Sequence, residues 1–191
     1  MNADPWPEIE VTKLDAARRQ LETAITLLFE AGDAVSVHTL AHASYGVLKD
    51  VANHRNQRRV LDTADELAAR DPNFWKDFNY AGNFYKHADK GPNATLTDIP
   101  EEVNEALISL AVEIYRDLGC LVTPEIESFY LWWRCIHFRG IDDVKEPFIS
   151  WLKENSDRLH CENRVDLLEL GHGLLKLLKQ SGQDVYARER G

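Results

Sequence analysis

Apolar residues recur at helical spacing along almost the whole chain, and no stretch alternates apolar and polar in the way a half-buried strand requires. Leu14, Leu21 and Leu28 with Ala17, Ala24 and Ile25 make a heptad-like stripe. Thr12 and Asp15 in front of it form a capping-box-like start, with Asp in place of the usual Glu, and Gly32 falls where a terminating glycine belongs. A second stripe, Val37, Leu40, Ala41, Ser44, Leu48 and Val51, begins near Asp33 or Ser36 and ends around Asn53. So short a link predicts an antiparallel helical hairpin.

The same period continues. Gln57 to Arg70 is charged but helical, with Val60, Leu61, Ala64, Leu67 and Ala68 inward. Asp98-Ile99-Pro100-Glu101 reads as a helix start, followed by Val103, Leu107, Leu110, Ile114 and Leu118 on one side, and Gly119 ends that helix. Thr123-Pro124-Glu125 opens a helix that is apolar nearly all round, which belongs at a bundle centre or at a partner interface. Gly140 to Asp143 is a break. Phe148, Ile149, Trp151 and Leu152 mark a short helix, and Val165, Leu168, Leu175 and Leu178 with Leu167, Leu170, Leu174 and Leu177 mark the last one, capped by Asn163 and weakened at Gly171 and Gly173. The expected fold is all-α, a bundle of seven or eight helices with mostly antiparallel neighbours. Residues 1–10 are expected to be a flexible arm, 11–139 the main bundle, and 140–191 further helices packing on it.

Charge and cysteine usage narrow the surroundings. The 191 residues carry 32 acidic against 22 basic side chains, a formal net charge of −10, which disfavours nucleic acid and anionic membrane as partners. Arg55, Arg58 and Arg59 are the best local basic patch, read as a solvated helix face. Cys120, Cys135 and Cys161 are odd in number, widely spaced and without a CxxC pair, as in a reduced compartment. The N-terminus has no basic region or apolar run of a signal peptide, and the longest strongly apolar run, Phe129 to Phe138, is too short to span a bilayer. A cytoplasmic protein is expected, with no membrane association.

The chain contains no P-loop, GxGxxG, HExxH, GxSxG or zinc-type Cys/His array, and nothing in it calls for a cofactor. An acidic helical chain lacking these reads as a binding or interaction module before it reads as an enzyme. One stretch stands apart, Asn73 to Gly91. It crowds Phe74, Trp75, Phe78, Tyr80, Phe84 and Tyr85 together with Asn79, Asn83, Lys86, His87 and Asp89 into one expected helix. Phe74, Phe78, Ala81, Tyr85 and Ala88 form its apolar face, while Asn79, Asn83, Lys86, His87 and Lys90 fall on another side. Asparagine is a mediocre helix former, and Gly82 in a helix interior costs about 1 kcal/mol against alanine. A close backbone approach there is the physical reason to expect.

Four residues apart on the second helix, His38 and His42 share a face, with Tyr45 one turn on. The leading expectation joins them to Asn79, Asn83, Lys86, His87 and Asp89 as a polar patch that binds a small ligand or a partner. In that patch Lys86 and His87 hold an anionic group and the asparagines donate and accept. An alternative completes a metal site on His38 and His42 with Glu22 or His87, as in a metal-dependent hydrolase. Another is a homodimeric interaction module built on Phe129, Tyr130, Trp132 and Trp133.

The segments Lys13 to Asp50 and Asn83 to Thr95, the latter carrying the box NFYKHAD, resemble a group of bacterial all-α proteins with which no activity is associated. More distantly, a helical bundle with an Asn-x-x-Lys-His box is similar to HEPN-type domains, found in RNA-cleaving toxins and nucleotide-binding defence proteins. That similarity implies a ribonuclease site in which a histidine follows an arginine by four to six residues. Here Arg134 has His137 too close, Arg164 has His172 too far, and no histidine follows Arg55-Asn56, so only the bundle carries over.

Overall fold

The computed structural model describes residues 9–87, 89, 91–97, 100–138, 146–160 and 163–181. Within them the chain forms eight α-helices: α1 (Lys13–Phe29), α2 (Ala34–His54), α3 (Arg59–Ala68), α4 (Phe74–Lys86), α5 (Glu102–Asp117), α6 (Pro124–Phe138), α7 (Phe148–Asn155) and α8 (Arg164–Gln180). A single 3₁₀ turn at Arg158–His160 precedes α8, and no strand is present among the described residues. The fold is an all-α bundle.

Local chemistry explains the first hairpin. Asp15 N–H donates to Thr12 Oγ1 at 3.1 Å while Asp15 Oδ2 accepts from the Thr12 backbone, so the capping box forms with Asp as its reciprocal partner. At the far end Gly32 N–H donates to Leu27 O at 2.8 Å and Ala31 N–H to Leu28 O at 3.1 Å. That is a Schellman closure, and its left-handed residue is Ala31 (φ 50°), one position before the expected glycine. Asp33 Oδ2 then caps α2 by accepting from Ser36 N–H at 2.7 Å. Asn56 (φ 55°) closes α2 in the same way as Ala31 closes α1, with Gln57 N–H reaching Ala52 O.

Side by side, α1 and α2 form the most extensive helix pair. Ala17, Ala24, Ala41 and Ala52 are fully buried, and small side chains let the two backbones approach until Ser44 Oγ donates to Ala17 O at 2.9 Å. Against this hairpin pack α5 on the α2 side and α6 and α8 on the α1 side. Leu107, Ile108, Ile126, Phe129, Trp132 and Leu174 fill the space between them. Trp132 Nε1 donates to Leu167 O at 2.6 Å, and buried residues of α7 and α8 belong to the same core cluster as those of α1, α2, α3, α5 and α6, with Trp75 and Phe78 of α4 packed against it.

Several expectations are corrected at this level. Leu67 (54% exposed) and Val165 (58%) leave their stripes for solvent: α3 buries only the face of Leu61 and Ala68, and Val165 stands in the first turn of α8, outside its buried half. Gly171 does not weaken α8, which runs unbroken from Arg164 to Gln180. It receives the Phe29 ring, and a Cβ there would stand 2.2 Å from Phe29 Cε1. The all-round apolar α6 resolves into a core side, with Phe129 and Trp132 fully buried, and a cationic edge. On that edge Arg116 stacks 3.8 Å above the Tyr130 ring while pairing with the buried carboxylate of Glu127. The expected cap at Asp98 and the break at Gly140 to Asp143 lie outside the described residues, as does the arm before Ile9. No helix among the described residues is long and apolar enough to cross a membrane.

Candidate functional site

The unusual stretch becomes α4, and it ends at Lys86 with His87 as its C-cap rather than running on to Gly91. It lies antiparallel on α2. His38, His42 and Tyr45, at i, i+4 and i+7, meet Tyr85, Gly82 and Phe78 in reverse order. The His38 ring meets Tyr85 edge-on at 5.4 Å, the Tyr45 ring meets Phe78 edge-on at 5.6 Å, and the His42 ring sits on Gly82 between them. A Cβ at position 82 would stand 2.3 Å from His42 Cδ2 and 2.6 Å from Nε2. The mid-helix glycine is therefore the seat of an imidazole.

Hydrogen bonds assign the histidine tautomers. Asn79 Nδ2 donates to Trp75 O at 2.6 Å, which leaves its Oδ1 as the acceptor facing His42 Nε2 at 3.2 Å. His42 Nε2 thus carries the proton. Its Nδ1 presents a lone pair, and the Lys86 ammonium donates to it at 2.7 Å. One turn back, Asn104 Nδ2 donates to Ala34 O at 3.0 Å, so Asn104 Oδ1 accepts from His38 Nδ1 at 2.8 Å. His38 Nε2 is then a bare lone pair, and it is buried without a hydrogen-bond partner in a side chain that is 1% exposed.

One dominant cause pushes both imidazoles toward the neutral form. Burial lowers the His38 and His42 pKa values below the usual histidine range, and the Lys86 charge lowers each further. Burial also lowers the Lys86 ammonium from the usual lysine value. An ammonium donating to a neutral imidazole is a stable arrangement, since both groups would lose by sharing a second positive charge.

Beyond Lys86 the surface opens into a cleft of about 430 Å³ between the end of α4 and the turn at residues 91–94. Asn83, Lys86 and His87 supply its polar wall, and Tyr80, Phe84, Tyr85 and Pro92 its apolar one. Gly91 (φ 133°) permits the turn, which Ala94 N–H closes by donating to Gly91 O at 2.9 Å.

The sequence-derived patch is thus divided. His38, His42, Asn79 and Lys86 come together at the α2–α4 seam. Asn83 and His87 are exposed and join Lys86 at the cleft instead of joining the histidines. Asp89 is exposed and lines neither place, and Ala88 and Lys90 lie outside the described residues. His42 hydrogen-bonds to α4 at Asn79 and Lys86, whereas His38 meets it through the Tyr85 ring. Glu22, the expected third metal ligand, accepts from Arg18 Nη1 at 2.9 Å. Among the described residues no group of three His, Cys, Asp or Glu is placed to hold a metal ion, and the Lys86 ammonium occupies the His42 lone pair that such an ion would need.

Asn104 escaped the sequence reading although it fixes His38. Its signal was present: it stands three residues before Leu107 and four before Ile108, on the buried face of α5. A polar amide in an apolar stripe needs a buried partner. Two of the three patch arginines are paired, Arg58 with Asp62 and Asp65 and Arg59 with Asp117. Compared with protein-family models, curated proteins and solved structures, the chain matches none of them.

Proposed function

We propose that this chain is a cytoplasmic binding protein for a small anionic ligand, which enters the cleft beside α4 and takes Lys86 as its charge partner. One observation carries the reading. Among the described residues the only polar partner of the Lys86 ammonium is the neutral His42 imidazole, in a chain with ten more acidic than basic side chains. A surface ammonium that no carboxylate compensates gains from an anion arriving beside it. Asn83 and His87 stand at the same wall and supply further donors.

Titration with inorganic phosphate and with acetate, followed by calorimetry and by amide NMR shifts, tests the reading. Saturable binding is expected to shift the residue 83–94 signals, to weaken with added salt, and to weaken about tenfold in Lys86→Gln, as for one charge-assisted hydrogen bond. Absence of saturable binding by either anion, or equal binding by a folded Lys86→Gln, would overturn it.

A further inference from the structure

The apolar wall of the cleft says more about the ligand than its charge does. Tyr80, Asn83, Phe84 and His87 are spaced i, i+3, i+4 and i+7, so one face of α4 presents them all to the cleft. Tyr80 is 51% exposed and has no ring partner among the described residues, whereas Phe74, Trp75 and Phe78, earlier in the same helix, stack on one another. An aromatic side chain half in water at a cleft wall offers a free π-face. Asn83 is exposed, and its side-chain amide has no hydrogen-bond partner among the described residues, which leaves a donor and an acceptor open one turn further along. Lys86 then stands at the polar end.

We infer that the ligand is a planar heteroaromatic ring bearing a carboxylate or a phosphate. This rests on the anion-binding reading above and adds the ring to it. The ring stacks on Tyr80 beside Phe84, Asn83 hydrogen-bonds its nitrogen-bearing edge, and the anionic group meets Lys86. A purely aliphatic anion leaves the Tyr80 face and the Asn83 amide unused. A neutral ring leaves the ammonium uncompensated. The cleft volume of about 430 Å³ falls within the roughly 300–1,000 Å³ of small-molecule sites and suits a single ring system with one short anionic arm.

Calorimetry with five probes tests this: inorganic phosphate, acetate, nicotinate, adenosine and adenosine 5′-monophosphate. The expected result is that nicotinate binds about tenfold or more tightly than acetate, or the nucleotide does so relative to phosphate, as for one stacked base. Which of the two pairs shows the gain identifies the carboxylate or the phosphate source. Tyr80→Ala, at an exposed position outside the anion's own partners, should abolish that gain while leaving acetate and phosphate binding unchanged, and Lys86→Gln should weaken all the anions. Equal affinities within both pairs overturn the aromatic inference and leave the anion site standing, as does an aromatic gain untouched by Tyr80→Ala. No saturable binding by phosphate or acetate, or adenosine binding as tightly as its monophosphate, overturns the anion reading itself.

Discussion

Gly82→Ala is the sharpest test of the α2–α4 seam, because two well-understood effects oppose each other there. Alanine is the better helix former by about 1 kcal/mol, so on helix propensity alone the substitution stabilises α4. Its methyl group, however, would lie 2.3 Å from His42 Cδ2 and 2.7 Å from Cγ, where carbon atoms normally stand about 3.5–4.0 Å apart. The ring must withdraw by more than about 1 Å, and in doing so it releases Asn79 Oδ1 and the Lys86 ammonium together. Overpacking of this kind costs about 1–3 kcal/mol and each lost hydrogen bond about 0.5–1.5 kcal/mol. The net expectation is a destabilisation of about 1–5 kcal/mol, seen as a melting temperature lower by about 2–4 °C per kcal/mol in a chain of this size. Urea unfolding of Gly82→Ala beside His42→Ala and the double variant measures it. Once the imidazole is gone, the same methyl group should be neutral or stabilising. A single Gly82→Ala variant at least as stable as the parent would refute the seating of His42 on Gly82.

Acidification gives a second check. Folding lowers the His38 and His42 pKa values, so the unfolded chain binds more protons just below its histidine pKa of about 6.5. Their contribution is full above that pH and is lost as pH falls toward the folded values, by up to about 1.4 kcal/mol per pH unit for each histidine. Glu105 and Glu127, whose pKa values burial raises, slope the opposite way nearer the carboxylate range, so the difference between parent and His42→Gln between pH 7.5 and 5.5 isolates the effect. A His42→Gln difference independent of pH would contradict a neutral His42. Arg116→Met leaves the Glu127 carboxylate, 2% exposed, without its cation, and should cost about 3–5 kcal/mol, with Glu127→Gln recovering part of it; a loss below about 1 kcal/mol would show the pair to be solvated. Asn83→Ala and His87→Ala sit on exposed positions and should each stay within about 0.5 kcal/mol of the parent, so a large loss would make them structural. Cys135, buried and with its thiol pushed up to about 11, should resist alkylation in the folded protein, and labelling as fast as in urea would disprove that burial.

Helical periodicity is local information, and it was sufficient for the architecture. The Thr12–Asp15 box, the Asp33 start, the Gly119 stop and the leucine stripes of α1, α2 and α8 are each set by residues within one or two turns of one another. The sequence also singled out Asn73–Gly91 as a place where propensity is violated, and Gly82 as a close approach. What it did not contain was the partner. Helical spacing places Asn79 and Asn83 on one side, yet α2 packs on the face of Phe78, Gly82 and Tyr85, so Asn79 at its edge reaches His42 while Asn83, turned further away, stays in water. Likewise Gly171 looks like a flaw in α8 until the Phe29 ring, far away in sequence, fills the space its missing side chain leaves. Asn104 is an anomaly in a stripe until His38 reaches it across 66 positions. A chain can declare by itself which faces are apolar and where helices begin and end, since those depend on neighbours three or four residues away. Which tautomer His42 adopts, which lone pair His38 leaves bare and which cation borders the cleft depend on groups brought together from α2, α4 and α5, and only the packing of those helices decided them.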